Sequence, residues 1–141
     1  MISIFSCFAK APQGEMTYYH YREVNSYACR ETEYTAELQP DGKCLITRKI
    51  GRMQKPDIHT ATVDKSAMDS ILAIFLEKEM YAYDKEYQPK FTITDGTSWS
   101  YSAKVGDKSF SSNGYQCWPD RAAFRAIDAY LDTFLPLQKE H

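Results

Sequence analysis

The strictest constraint on the fold lies in the last third of the chain. Trp99, Tyr101, Ala103 and Val105 alternate with Ser98, Ser100, Ser102 and Lys104. This is the period-2 pattern of a strand with one face buried and the other toward water. Gly106-Asp107 predicts a tight turn back into a second strand at Lys108–Ser112, where Phe110 rejoins the apolar face. Pro119 then suits the first turn of a helix, because the N–H it lacks would have no intrahelical partner there. Ala123, Phe124, Ile127, Tyr130, Leu131 and Phe134 recur at helical spacing from about Asp120 to Phe134, and Pro136 ends the run.

The same two periods organise the rest. Thr17–Val24 reads as an aromatic strand. Glu31 to Gln39 alternates, with Thr32, Tyr34, Ala36 and Leu38 on one side and Glu31, Glu33, Thr35 and Glu37 on the other. Pro40-Asp41-Gly42-Lys43 is a strong turn signal. Cys44–Ile50 returns as the partner strand, with Lys43, Arg48 and Lys49 placed to face the acidic row. Gly51–Asp57 reads as a polar loop, and Ile58–Val63 as a short strand. Asp64 is an N-cap for a helix from Lys65 to about Glu79, with Val63 and Met68 as a hydrophobic staple. Its buried stripe is Met68, Ile71, Leu72 and Phe75, with Leu76 at its margin. Tyr81–Pro89 is a tyrosine-rich loop, followed by a short strand at Lys90–Thr94 that Asp95-Gly96 turns into the Trp99 strand. On the last helix Arg121, Arg125, Asp128 and Asp132 fall on the outer side, with an attractive i,i+3 pair at Arg125–Asp128. The pattern predicts a single α+β domain over residues 16–137, an antiparallel sheet of hairpins with two helices packed on one face. Residues 1–15 read as a flexible leader or tether.

Charge and cysteine usage exclude several function classes. The 141 residues carry a net charge of −2 with acidic and basic residues interleaved, which does not suit a nucleic-acid surface. No run of apolar residues is long enough for a transmembrane segment. Cys7, Cys29, Cys44 and Cys117 form no C-x-x-C pair, and three histidines complete no zinc spacing. No metal or cofactor is expected. Free thiols are the favoured state, with a Cys29–Cys44 bridge left open. Ile4-Phe5-Ser6-Cys7 is similar to the end of a bacterial lipoprotein signal. Two locations therefore remain open: cytoplasmic if Met1 is the true start, or exported and anchored to the cell envelope through a lipidated Cys7.

Three residues suggest reactive chemistry. Cys117 lies just before a helix N-terminus, where the dipole favours a thiolate, and His20 and His59 are the structured histidines that could serve it as a base. Eleven tyrosines are the compositional excess. Tyrosine suits half-exposed strands and also binding surfaces, and Tyr18, Tyr81, Tyr83, Tyr87 and Trp118 are the candidate binding rings. The leading reading is a non-enzymatic binding or interaction module for a protein or small-molecule ligand. A thiol enzyme using Cys117 and a structural subunit of an assembly are the alternatives.

Trp99, the Gly106-Asp107 hairpin and Gly114-Tyr115-Gln116-Cys117-Trp118-Pro119 together resemble a family of small uncharacterised bacterial domains. In these a strand tryptophan is followed by a Gly/Asp turn and a Gly-aromatic-Asn-Ala-aromatic-Pro run opening the last helix. This chain has Gln116 and Cys117 in the Asn-Ala positions. The resemblance implies an α+β domain often found in exported or envelope proteins, and implies no activity.

Overall fold

Alternating strands and short turns build one seven-stranded sheet. The computed structural model describes residues 9–91 and 96–137. Its strands are β1 (Met16–Asn25), β2 (Arg30–Leu38), β3 (Cys44–Arg52), β4 (Lys55–Val63), β5 (Glu86–Tyr87), β6 (Thr97–Val105) and β7 (Lys108–Tyr115). Its helices are α1 (Ser66–Glu77) and α2 (Arg121–Asp132). The strand order is β4-β3-β2-β1-β6-β7-β5. The sheet is mostly antiparallel, as expected, but β5 runs parallel to β7. The exception arises inside the tyrosine-rich loop. After α1 and a 3-10 turn at Met80–Ala82, the chain passes along β7 in the same direction as β7.

Local chemistry explains most boundaries. The Asp41 carboxylate accepts the Lys43 N–H at 2.9 Å, and Gly42 sits at φ +85°, which closes the β2–β3 turn. The Asp64 carboxylate accepts the Ser66 N–H at 3.0 Å, but from one position before Lys65, which stands at the N-cap of α1 in place of the expected Asp64. The expected polar loop at Gly51–Asp57 is instead the tip of a hairpin. β3 continues to Arg52, β4 begins at Lys55, and the turn is Met53-Gln54. Neither turn residue carries a turn signal, and Pro56 is tolerated because β4 is an edge strand. The short strand expected at Lys90–Thr94 does not begin: Lys90 and Phe91 lie in a bend, and its remainder lies outside the described residues with Asp95. Cys7 also lies outside them. The end of the expected leader is tied down where it is described, since the Gly106 N–H donates to the Glu15 carbonyl at 2.8 Å.

One side of the sheet is covered by both helices. Met68, Ile71 and Phe75 of α1 and Phe124, Ile127 and Leu131 of α2 share one core with Tyr19, Tyr21, Tyr34, Ile46 and Tyr101. Four tyrosines are thus among the largest fully buried side chains, although tyrosine was equally suited to half-exposed strands. A buried tyrosine hydroxyl usually finds a partner; that of Tyr19 has none, and the other three do. Tyr21 donates to Glu23 at 2.5 Å, Tyr34 to Asp132 at 2.8 Å and Tyr101 to the Met80 carbonyl at 3.1 Å.

Candidate functional site

The helix-facing side of β2, β3 and β4 changes character from one end to the other. Successive cross-strand rungs are Leu38–Cys44–Val63, Ala36–Ile46–Ala61, Tyr34–Arg48–His59, Thr32–Ile50–Asp57 and Arg30–Arg52–Lys55. The first two are apolar core. The last three are increasingly polar, and α2 lies against the Tyr34–Arg48 and Thr32–Ile50 positions. The tips of the two hairpins are joined there by a hydrogen bond from the Met53 N–H to the Cys29 carbonyl at 2.9 Å.

The final rung is cationic across three adjacent strands. Arg30 stands directly opposite Arg52, and Arg52 opposite Lys55, an arrangement that destabilises a sheet unless something neutralises it. These three residues line a cavity of about 510 Å³ with Ile50, Gly51 and Asp57. Among the described residues no carboxylate forms an ion pair with Arg30, Arg52 or Lys55. Asp57 is itself engaged.

Ile50 lines both this cavity and a cleft of about 230 Å³ against α2, which is lined also by Thr32, Tyr34, Arg125, Asp128 and Asp132. Its two carboxyl groups differ. Asp132 accepts hydrogen bonds at one oxygen from Arg48 Nη1 (2.9 Å) and from the Tyr34 hydroxyl (2.8 Å). Asp128 is 6% exposed, and its Oδ1 has no hydrogen-bond partner. Burial pushes the Asp128 carboxyl up to about 8. Arg125 opposes this, and the charges of Glu23 and Asp132 add to it. The Asp128 carboxyl is therefore held mainly in its protonated form at neutral pH.

Glu23 closes the other flank. Burial alone would push its carboxyl up, but hydrogen bonds from Arg121 and Tyr21 and the charge of Arg125 outweigh that and hold it below the usual range. Arg121 donates through Nε (3.1 Å) and Nη2 (2.7 Å) to the two carboxylate oxygens, a bidentate grip. The Arg121 guanidinium also lies 4.0 Å over the Trp118 ring, while Trp118 Nε1 donates to the Tyr21 hydroxyl at 2.9 Å.

The residues singled out from sequence lie elsewhere, and they do not converge. The Cys117 carbonyl accepts the Trp99 Nε1–H at 2.8 Å in the loop after β7. His20 lies on the opposite face of the sheet, with Nε2 2.6 Å from Glu33 Oε2 and its ring stacked on Tyr18. The His20 pairing, ahead of the opposing effect of burial, holds the Glu33 carboxyl below the usual range. His59 is on β4, five strand positions from β7, roughly 24 Å at ordinary strand spacing. Cys117 therefore has neither histidine beside it. Tyr81 packs on Phe75, Tyr83 on Tyr101 and Phe124, and Tyr87 and Trp118 on Trp99. Of the five candidate rings Tyr18 alone stands on the helix-free face of the sheet. Cys29, Cys44 and Cys117 are free thiols, and Cys29 and Cys44 sit at opposite ends of β2. Among the described residues no three metal-binding side chains gather.

Two expectations about charge are corrected. Arg48 does not join Lys49 in facing the acidic row. Strand alternation sends it to the helix side, where it is 2% exposed, while Lys49 does approach Glu33, at 3.7 Å. Asp128 does not sit on the outer side of α2, and Arg125 reaches Glu23 instead, at 3.4 Å. The signal was present in the sequence. Phe124, Ile127, Asp128 and Leu131 are the i, i+3, i+4 and i+7 positions of one helical face. No family model matches the chain, and no curated protein matches it in sequence.

Proposed function

We propose that this chain is a binding module for a small anionic ligand, seated in the cavity of Arg30, Arg52 and Lys55. The observation that carries the reading is the cationic rung. Three like charges on adjacent strands, without carboxylate partners among the described residues, repel one another. A carboxylate or phosphate would remove that repulsion and bridge the two arginines, whose planar donors suit bidentate recognition. The ligand's uncharged part would extend along Ile50 and Thr32 toward α2. There the neutral Asp128 acid can donate a hydrogen bond and the Asp132 carboxylate can accept one. The separation of Cys117 from His20 and His59 supports binding over thiol chemistry. The envelope setting rests on the Ile4-Phe5-Ser6-Cys7 stretch and on the resemblance of the Trp99–Pro119 segment.

Calorimetric titration with inorganic phosphate, a dicarboxylate and a sugar phosphate tests the reading. We expect saturable binding by at least one of them, weakened about tenfold or more in Arg30→Ala and in Arg52→Ala, and weakened by added salt. Binding that both variants retain, or none by any of the three anions at low salt, would overturn it.

A further inference from the structure

The two edges of the sheet are unlike. One edge is β5, two residues long. The other is β4, nine residues long, and among the described residues no strand pairs with its outer side. Exposed edges are normally blunted by charge, proline, a bulge or shortness. The outer half of β4 has none of these. Ile58-His59-Thr60-Ala61-Thr62-Val63 carries no aspartate, glutamate, lysine, arginine or proline. Four of the six residues are β-branched, Ile58 is 54% exposed, and β3–β4 pairing continues to Val63 without a register shift.

We propose that β4 pairs antiparallel with β4 of a second copy of this chain, about a twofold axis at Thr60. The occupant is argued from self-complementarity. In an isologous antiparallel pair, opposite residues share a face, so the register must be centred on a residue. Centring on Thr60 sets Thr60 against Thr60, His59 against Ala61, Ile58 against Thr62 and Asp57 against Val63. Across Asp57–Val63 no like charges face each other in this register, while Lys55 falls level with Lys65 just past the end of the strand. Thr–Thr is a favourable cross-strand pair. The two seven-stranded sheets become one, and the helix-facing side chains Ala61 and Val63 gain neighbours across the axis. This inference stands apart from the ligand reading, because the cationic rung lies at the other end of β4.

Sedimentation velocity over a range of concentrations, with mild oxidation of Thr60→Cys, tests both pairing and register. Directly opposite Cα atoms of an antiparallel pair are about 4.5–5.5 Å apart, within the span of a disulfide. We expect a concentration-dependent dimer, cross-linking through Thr60→Cys but not through Ile58→Cys, and a dissociation constant raised at least tenfold by Thr60→Lys. Thermal melts should show Thr60→Lys folded, since Thr60 is exposed and faces solvent. A wild-type monomer at the highest attainable concentration overturns the proposal. So does a dimer indifferent to Thr60→Lys, or pairing of β4 with another protein's strand in place of its own copy.

Discussion

Arg48 and Asp132 join the middle of the sheet to the end of the last helix. Arg48 Nη1 donates to Asp132 Oδ1 at 2.9 Å, and Nη2 donates to the Pro136 carbonyl at 2.7 Å. The guanidinium is almost wholly buried, so it has no water to replace either partner. Truncating one member of such a pair leaves the other unpaired and partly desolvated. We predict that Arg48→Ala destabilises the protein by about 3 kcal/mol in urea denaturation. Arg48→Met, which keeps the aliphatic volume, should cost less. A loss below 1 kcal/mol in both would contradict this account of the α2 attachment.

The buried acid on α2 makes stability depend on pH. The Asp128 carboxyl titrates at about 8 in the fold, mainly through burial, against about 3.9 in an unfolded chain. Between those values the folded state holds a proton that the unfolded state has released. Its contribution to stability is full below the unfolded value, falls as pH rises from about 4 to about 8, and is level above. Asp128→Asn removes that slope. The variant should match the wild type near pH 4 and be about 1–3 kcal/mol more stable at pH 8, less than the full shift because the amide also lacks partners. Denaturation at pH 4, 6 and 8 checks this, and a variant less stable than wild type at pH 8 would refute it.

The cationic rung predicts a gain of stability on mutation. Arg52 lies between Arg30 and Lys55, so Arg52→Thr relieves two like-charge contacts and places a good strand former at the position. The ligand-free variant should be about 0.3–1 kcal/mol more stable at low salt, with the difference shrinking as salt is added. It should also lose the response to anions. Melting temperatures with and without phosphate, at low and high ionic strength, measure both effects. Unchanged or lowered stability at low salt would show that the rung is not under strain.

Gly114 is required by close approach. A Cβ there would meet Trp99 Nε1 at 2.5 Å and the carbonyl oxygens of Cys117 and Tyr87 at 2.8 Å each. Those atoms belong to the Trp99–Cys117 hydrogen bond and to the strand beside it, so neither can yield cheaply. Gly114→Ala should cost about 2–3 kcal/mol and red-shift the Trp99 emission as the ring is displaced toward water. Stability within 0.5 kcal/mol of wild type would argue that the loop adapts.

Where alternation was clean, the strands were legible. Trp99, Tyr101, Ala103 and Val105 do face the core, and Asp64 does accept an N–H at the start of α1. The site was far less legible, for three physical reasons. Met53-Gln54 carries no turn chemistry, so the β3–β4 register that aligns Arg52 with Lys55 could not be read. Arg48 and Lys49 are adjacent cations whose strand phase alone decides which one is buried. Asp128 lies within an apolar helical stripe, where charge suggests the outer face and only the spacing indicates the inner one. Cys117 drew attention through its place before a helix, yet what its position contributes is a carbonyl for Trp99.

The strand order carries a consequence for how the chain becomes structured. β1–β4 form a meander of neighbouring hairpins, and β6–β7 form another, each from contacts close in sequence. β1 and β6, at the centre of the sheet, pair Asn25 with Thr97 and Met16 with Val105, closing a loop of roughly 70–90 residues. The rate-determining event in folding should therefore be the meeting of two preformed halves at β1 and β6. During synthesis β1 remains an open edge until most of the chain has been made.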